Sequence, residues 1–151
     1  MMNFLQTALL LTSALTPISA SPTPQNNYGN KPPYFILTGD STVAVDGGWG
    51  DGFLDFVKEP ADGSNPAHSG ATTVSFRDTG RWADALEAVE DHTDEYDPIV
   101  TIQFGHNDQK EKAGISHEEF KANLVRMAEE VFDAGGLPVR LPSLPVNPVN
   151  F

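Results

Sequence analysis

From Tyr34 onward the chain alternates short apolar runs with amphipathic stretches. YFILTG at 34–39 is compact, apolar and closed by glycine, which predicts a buried strand. ATTVSF at 71–76 is rich in β-branched residues and reads as a strand as well. PIVTIQF at 98–104, with Pro98 at its mouth and Gly105 at its exit, is the clearest strand of the chain, and LPVRL at 137–141 predicts a fourth. Helical spacings lie between these runs. Phe53, Leu54 and Val57 share one side of a short helix over 50–58. Trp82, Leu86 and Val89, at i, i+4 and i+7, mark one face of a helix over 80–91. Ser116 and Glu119 form a capping-box pattern before a helix that buries Phe120, Leu124, Met127, Ala128 and Val131 and stops at Gly135-Gly136.

Strands alternating with helices imply βαβ units, hence an α/β fold with a mainly parallel sheet covered on both faces. Ligands of such sheets sit beyond the carboxyl ends of the strands. The informative loops are therefore those after Thr38, around Ser69-Gly70 and after Phe104. After residue 141 a further strand and helix would be in order, but PSLPVNPVNF carries three prolines in ten residues and neither pattern.

The first residues follow a different logic. FLQTALLLTSAL at 4–15 is apolar but too short for a membrane-spanning helix, and small residues follow it up to Ala20. This predicts a signal peptide over 1–20, although no Lys or Arg precedes the run. The alternative is a hydrophobic first helix of the domain. The next stretch, SPTPQNNYGNKPP over 21–33, reads as a linker and favours the signal peptide, leaving a domain over 34–151. A secreted, extracellular protein is expected.

Composition narrows the partners. The 151 residues carry nine Lys plus Arg against twenty-one Asp plus Glu, a formal net charge of −12. The length suits one domain, and 39% apolar residues with only 20% charged is too hydrophobic for a disordered chain. The acidity argues against nucleic acid and against docking on anionic membranes. Without cysteine there is no disulfide, thiolate metal site or Cys nucleophile. Asp46, Asp51 and Asp55 lack the EF-hand spacing, His117-Glu118-Glu119 lacks the second histidine of a zinc motif, and no metal or cofactor is expected.

The candidate chemistry lies at the predicted strand ends. Gly39-Asp40-Ser41-Thr42 follows the first strand, where glycine permits a tight exit and Ser41 can project into the crevice above the sheet. Alone, this tripeptide is as easily a turn or helix cap. Gly105-His106-Asn107-Asp108 follows the 98–104 strand, and an asparagine amide there can face an oxyanion. The free N–H of Gly70, beside Ser69, is a further candidate donor, although such a glycine is more often a turn residue. Trp49, Phe53 and Trp82 suggest a sugar-stacking platform; the more economical reading places Phe53 and Trp82 in the core and Trp49 alone at the border of the site as a substrate-binding candidate.

Taken in order, GDSTVAVDGGWGDGF (39–53), HSGATTVSFRDTGRW (68–82) and TIQFGHNDQK (101–110) resemble the SGNH, or GDSL-type, hydrolase superfamily. GDST, GGWG and FGHND look closest to its rhamnogalacturonan acetylesterase-like branch. The resemblance implies a flavodoxin-like, three-layer α/β/α fold with sheet order 2-1-3-4-5. It also implies a secreted serine esterase that removes acetyl groups from plant cell-wall polysaccharide, with an acetylated carbohydrate as partner. Carried over, Ser41 is the nucleophile, and the Ser41 N–H, the Gly70 N–H and the Asn107 amide form the oxyanion hole.

One block departs from the pattern. The family carries a D-x-x-H near its C-terminus for the general base, and this chain has none. Its histidines are His68, His92, His106 and His117. His106 falls inside the oxyanion block, His117 in the first turn of a helix, and His92 in the acidic stretch EDHTDEYD, read as a solvated loop; His68, close to Gly70, could approach Ser41 but is a poor candidate for the base. With the Pro-rich ending, this reads as a domain shortened at its C-terminus, lacking the last strand, helix and base loop. Such a chain is expected to be nearly inactive, and the alternative to an esterase is a non-catalytic homologue that at most binds a glycan.

Overall fold

The computed structural model describes residues 29–143. The signal peptide expected over 1–20, most of the linker and the Pro-rich tail beyond Ser143 lie outside the described residues.

Four strands alternate with helices: β1 (Pro33–Gly39), α1 (Gly50–Leu54), β2 (Asp62–Ser64), α2 (Thr73–Asp78), α3 (Arg81–His92), β3 (Asp97–Gln103), α4 (His117–Asp133) and β4 (Leu137–Arg140). All pairs are parallel and the order is β2-β1-β3-β4. Central β1 and β3 pair over their full lengths, from Pro33 opposite Asp97 to Gly39 opposite Gln103, so both strands end on one line. That common edge places the loops after Gly39 and after Gln103 side by side.

Alternation along each strand sorts the apolar residues onto two faces. Ile36 with Val100, Ile102 and Phe104 meets Phe76, Trp82, Ala85, Val89, Leu124, Met127 and Val131 from α2, α3 and α4 in one core. On the opposite face Leu37 packs with Val43, Ala44 and Ala67, and partly buried Phe35, Trp49 and Leu54 close over them. Three helices cover the first face, whereas α1 and the loop before it cover the second. Edge strand β4 is less enclosed, with Leu137 36% exposed.

Three elements differ from the pattern reading. The 71–76 run is not a strand: helix α2 begins within it, at Thr73, because Thr72 caps it. The Thr72 hydroxyl accepts from the Ser75 N–H at 3.0 Å while Ser75 Oγ accepts from the Thr72 N–H at 2.9 Å, a reciprocal cap that outweighs the β-branched composition. The second strand is instead Asp62–Ser64, whose DGS carries no hydrophobic signal and forms by pairing with β1. Helix α1 ends at Leu54, so Val57 lies outside it. Phe53 is not a core residue: it is 38% exposed, with its ring edge-on to Phe35 and Trp49. Trp82 is in the core at 1% exposure, and its indole N–H reaches Glu130 Oε2 at 2.6 Å.

Candidate active site

The first loop is shaped by close backbone approach. A Cβ on Gly39 would lie 2.5 Å from Val43 Cγ2 and 2.7 Å from the Gln103 carbonyl oxygen, so only glycine fits at this strand exit. Asp40, 1% exposed, turns the chain: its Oδ1 accepts from both the Thr42 N–H and the Thr42 hydroxyl at 2.9 Å. The loop then folds back, with Trp49 N–H on the Thr42 carbonyl, Gly50 N–H on the Val43 carbonyl, and the Asn65 amide bonding both the Val43 carbonyl and Asp51. Ser41 is left exposed on the crest of this pinned turn.

The second loop is tied to the first by its backbone. His68 N–H donates to the Gly39 carbonyl at 3.0 Å, and Ala71 N–H returns to the His68 carbonyl at 3.1 Å. Gly70 turns this short loop at a φ of 80°, in the left-handed region that favours glycine, and it is exposed.

The third loop locks onto the second. Asn107, 7% exposed, donates through Nδ2 to the Ala71 carbonyl at 2.9 Å, one residue past Gly70. Lys110 Nζ holds Asn107 Oδ1 at 2.7 Å and so sets which end of the amide faces inward. Asp108, 2% exposed, accepts at Oδ1 from the Thr73 N–H at 2.8 Å and the Thr73 hydroxyl at 2.6 Å, fastening the start of α2 to the same loop. Hydrogen bonds thus link all three motif segments at one edge of the sheet. Lys110 and Thr73 were not singled out in the sequence, although both lie within its motif blocks; their contribution depends on partners, at 107 and 108, that only the fold supplies.

Trp49 is tied to this edge as well. Its indole N–H donates to Gln103 Oε1 at 2.6 Å, and Gln103 Nε2 donates to the Pro142 carbonyl at 2.9 Å. One buried amide, also absent from the sequence reading, connects the loop after β1 with the end of β3 and the exit of β4.

The histidines are less concentrated. His92 is the last residue of α3 and not part of a solvated loop: it stacks on Tyr34 with ring centroids 3.6 Å apart, and its Nδ1 bonds the Ala88 carbonyl. Tyr34 lies near the start of β1, so this imidazole is at the opposite end of the sheet from Ser41. The His68 ring is exposed and His106 is partly buried within the third loop. Among the described residues no side chain hydrogen-bonds the Ser41 hydroxyl, and no group of three His, Cys, Asp or Glu side chains is placed to hold a metal ion.

No family model matches the chain. Over 121 residues it is 36% identical to rhamnogalacturonan acetylesterase RhgT of Bacillus subtilis (strain 168), covering 76% of this chain and 50% of RhgT. The chain thus spans about half the length of this curated relative. Of the solved structures, protein YxiM from Bacillus subtilis superposes with a TM-score of 0.60 at 24% identity, over 74% of this chain and 33% of YxiM. The psychrotrophic esterase EstA from Pseudoalteromonas sp. gives a TM-score of 0.49 at 16% identity, over 74% of this chain and 61% of EstA. YxiM shares the fold and RhgT the sequence, and with the three linked motif loops they support an SGNH hydrolase-like protein.

Proposed function

We propose that this chain carries the nucleophile and the oxyanion hole of a secreted serine esterase that removes acetyl groups from a plant cell-wall polysaccharide; the acetylesterase part of this reading is supported by the name of RhgT, and secretion by the signal-peptide pattern over 1–20. The observation that supports this reading best is the Asn107–Ala71 hydrogen bond, which sets the asparagine amide beside Gly70 in a loop tied to the exit of β1. In this reading the Ser41 hydroxyl attacks the ester carbonyl and gives up its proton to a base. The Ser41 and Gly70 N–H groups and the second N–H of the Asn107 amide hold the developing oxyanion. Collapse expels the sugar oxygen, which takes up the proton held by the base and leaves as a hydroxyl, and water then releases acetate from Ser41. No cofactor or metal enters these steps.

Catalysis by residues 29–143 alone is expected to be residual. With no imidazole against its hydroxyl, Ser41 is an ordinary alcohol. A serine hydrolase stripped of a triad member keeps about a thousandfold advantage over water from its oxyanion hole and binding. That same observation favours a second reading, a non-catalytic protein that binds an acylated glycan at the edge of the sheet. Hydrolysis of an aryl acetate by the purified chain, compared with Ser41→Ala, separates them. A rate lost in Ser41→Ala supports the esterase; a rate indifferent to the substitution removes Ser41 as nucleophile. A His68→Ala protein tests in the same assay whether the exposed imidazole nearest Gly70 serves as base.

A further inference from the structure

Within the 101–110 block Lys110 is the only Lys or Arg. Its Nζ donates to Asn107 Oδ1 at 2.7 Å, and its own backbone N–H donates to the Asn107 carbonyl at 3.2 Å. Both bonds span three residues, so closing them orders little chain. The Gln109 N–H on the Gly105 carbonyl at 3.2 Å and Gln109 Nε2 on the His106 carbonyl at 3.3 Å tighten the same turn. The backbone thus keeps the ammonium at the end of the Asn107 amide that faces away from Ala71.

No carboxylate cancels that charge. The chain is acidic overall, with a formal net charge of −12, yet the one ion pair among the described residues is Arg77–Glu130. Asp108, two positions before Lys110, directs Oδ1 at Thr73 instead. An ammonium on an amide oxygen makes a charge-assisted bond and draws electron density away from the N–H end. Linked hydrogen bonds reinforce one another in this way, most where water is excluded, and Asn107 is 7% exposed.

We propose that Lys110 is a positioning residue of the oxyanion hole: it holds and polarises the Asn107 amide, so that the N–H not spent on Ala71 is a stronger donor than a neutral residue at 110 would make it. The inference rests on the esterase reading, in which that N–H meets the oxyanion, and adds Lys110 to its machinery. Lys110 itself touches no reacting atom. Its effect passes through Asn107.

The test compares the full chain with Lys110→Met, Lys110→Arg and Lys112→Met, the last removing the same charge two positions on, also at an exposed residue. The first readout is the NMR signal pair of the Asn107 side-chain NH2. A donor on the amide oxygen strengthens the double-bond character of the C–N bond and slows rotation about it. Loss of that donor in Lys110→Met is expected to speed the exchange of the two Nδ2 protons by about threefold or more. Lys110→Arg restores the slow exchange, and Lys112→Met never loses it. The second readout is Ser41-dependent aryl acetate hydrolysis. In Lys110→Met kcat falls by about tenfold, less than for loss of a direct oxyanion donor, with KM unchanged. Lys110→Arg recovers the rate. Asn107 signals indifferent to Lys110→Met, the same change in Lys112→Met, or a rate loss carried by KM would overturn the proposal. A parent chain with no Ser41-dependent hydrolysis would count against the esterase reading alone, and the Asn107 signals would then decide whether Lys110 holds the amide.

Discussion

Asn107 and Ala71 lie thirty-six positions apart, yet one hydrogen bond of 2.9 Å from the asparagine amide to the alanine carbonyl joins the loop after β3 to the loop that holds Gly70. This bond fixes the side-chain amide within a buried environment, where the cost of leaving the Ala71 carbonyl unpaired enforces the geometry. Lys110 on the other end of the amide prevents a flip.

Asn107→Ala is therefore expected to have two effects. Ser41-dependent aryl acetate hydrolysis falls by about two to three powers of ten, or to the Ser41→Ala background if that is reached first. Stability falls by about 1–3 kcal/mol because the buried Ala71 carbonyl loses its donor. Paired rate and urea-unfolding measurements check both.

Gln103→Leu removes the amide that bonds Trp49 and Pro142 together. The indole N–H and the Pro142 carbonyl both lose a partner, and a loss of about 1–3 kcal/mol is expected. Urea unfolding measures it, and hydrogen exchange at 42–50 should rise as the loop loosens.

At Gly39 the outcome is steric. The Cβ of Gly39→Ala would press on the backbone oxygen of Gln103 at 2.7 Å, which belongs to the neighbouring strand and has little freedom to withdraw. A loss of about 1–3 kcal/mol is expected from such overpacking, with reduced Ser41-dependent hydrolysis as the loop bearing Ser41 shifts. Thermal unfolding and the aryl acetate assay test this together.

Thr72→Ala should cost about 1 kcal/mol by deleting the cap of α2. The local reading is specific: amide exchange in 73–78 accelerates while β1 and β3 remain protected. Unchanged exchange there would mean the cap does not govern this segment.

Glu130 links α2, α3 and α4. Burial by itself would raise its pKa, but hydrogen bonds from Arg77 and Trp82, with the positive charges of Arg77 and Arg126, outweigh burial and hold it below the ordinary glutamate value. A depressed folded-state value contributes stability above the unfolded pKa, and that contribution is lost as pH falls through the folded value. The stability gap between the parent protein and Glu130→Gln should therefore be largest near neutral pH and shrink under acid. Partial exposure of both partners keeps the gap small. Urea titrations across acidic and neutral pH measure the trend.

The main features of the fold were legible from residue order alone. Runs such as YFILTG and PIVTIQF announce buried strands because a strand enclosed on both faces needs apolar side chains at nearly every position. The helices α3 and α4 declare themselves through their spacing, with Trp82 and Val89 or Leu124, Met127 and Val131 falling on one face. Ser116 caps α4 as its position suggested, accepting from the Glu119 N–H at 3.1 Å. Two of the motif blocks were legible too, because strand-end Gly39 and Gly105, followed by Ser41 and Asn107, stand out against apolar runs, whereas the Ser69-Gly70 block was marked by the family resemblance.

Tertiary structure decided the rest. Whether 71–76 became strand or helix rested on the Thr72–Ser75 cap against the β preference of its side chains, a close local competition settled when α2 packed Phe76 into the core. Strand β2 has no hydrophobic pattern of its own and exists only because β1 offers it an edge. Phe53 and His92 show the same dependence: the first stays at the surface edge-on to Phe35 of β1, the second stacks on Tyr34, and neither contact follows from neighbours in sequence. Residue order determined which groups can attack, donate or cap. Which of them meet depends on contacts between residues thirty or more positions apart, and those form only when the paired β1 and β3 bring their carboxyl ends to one edge.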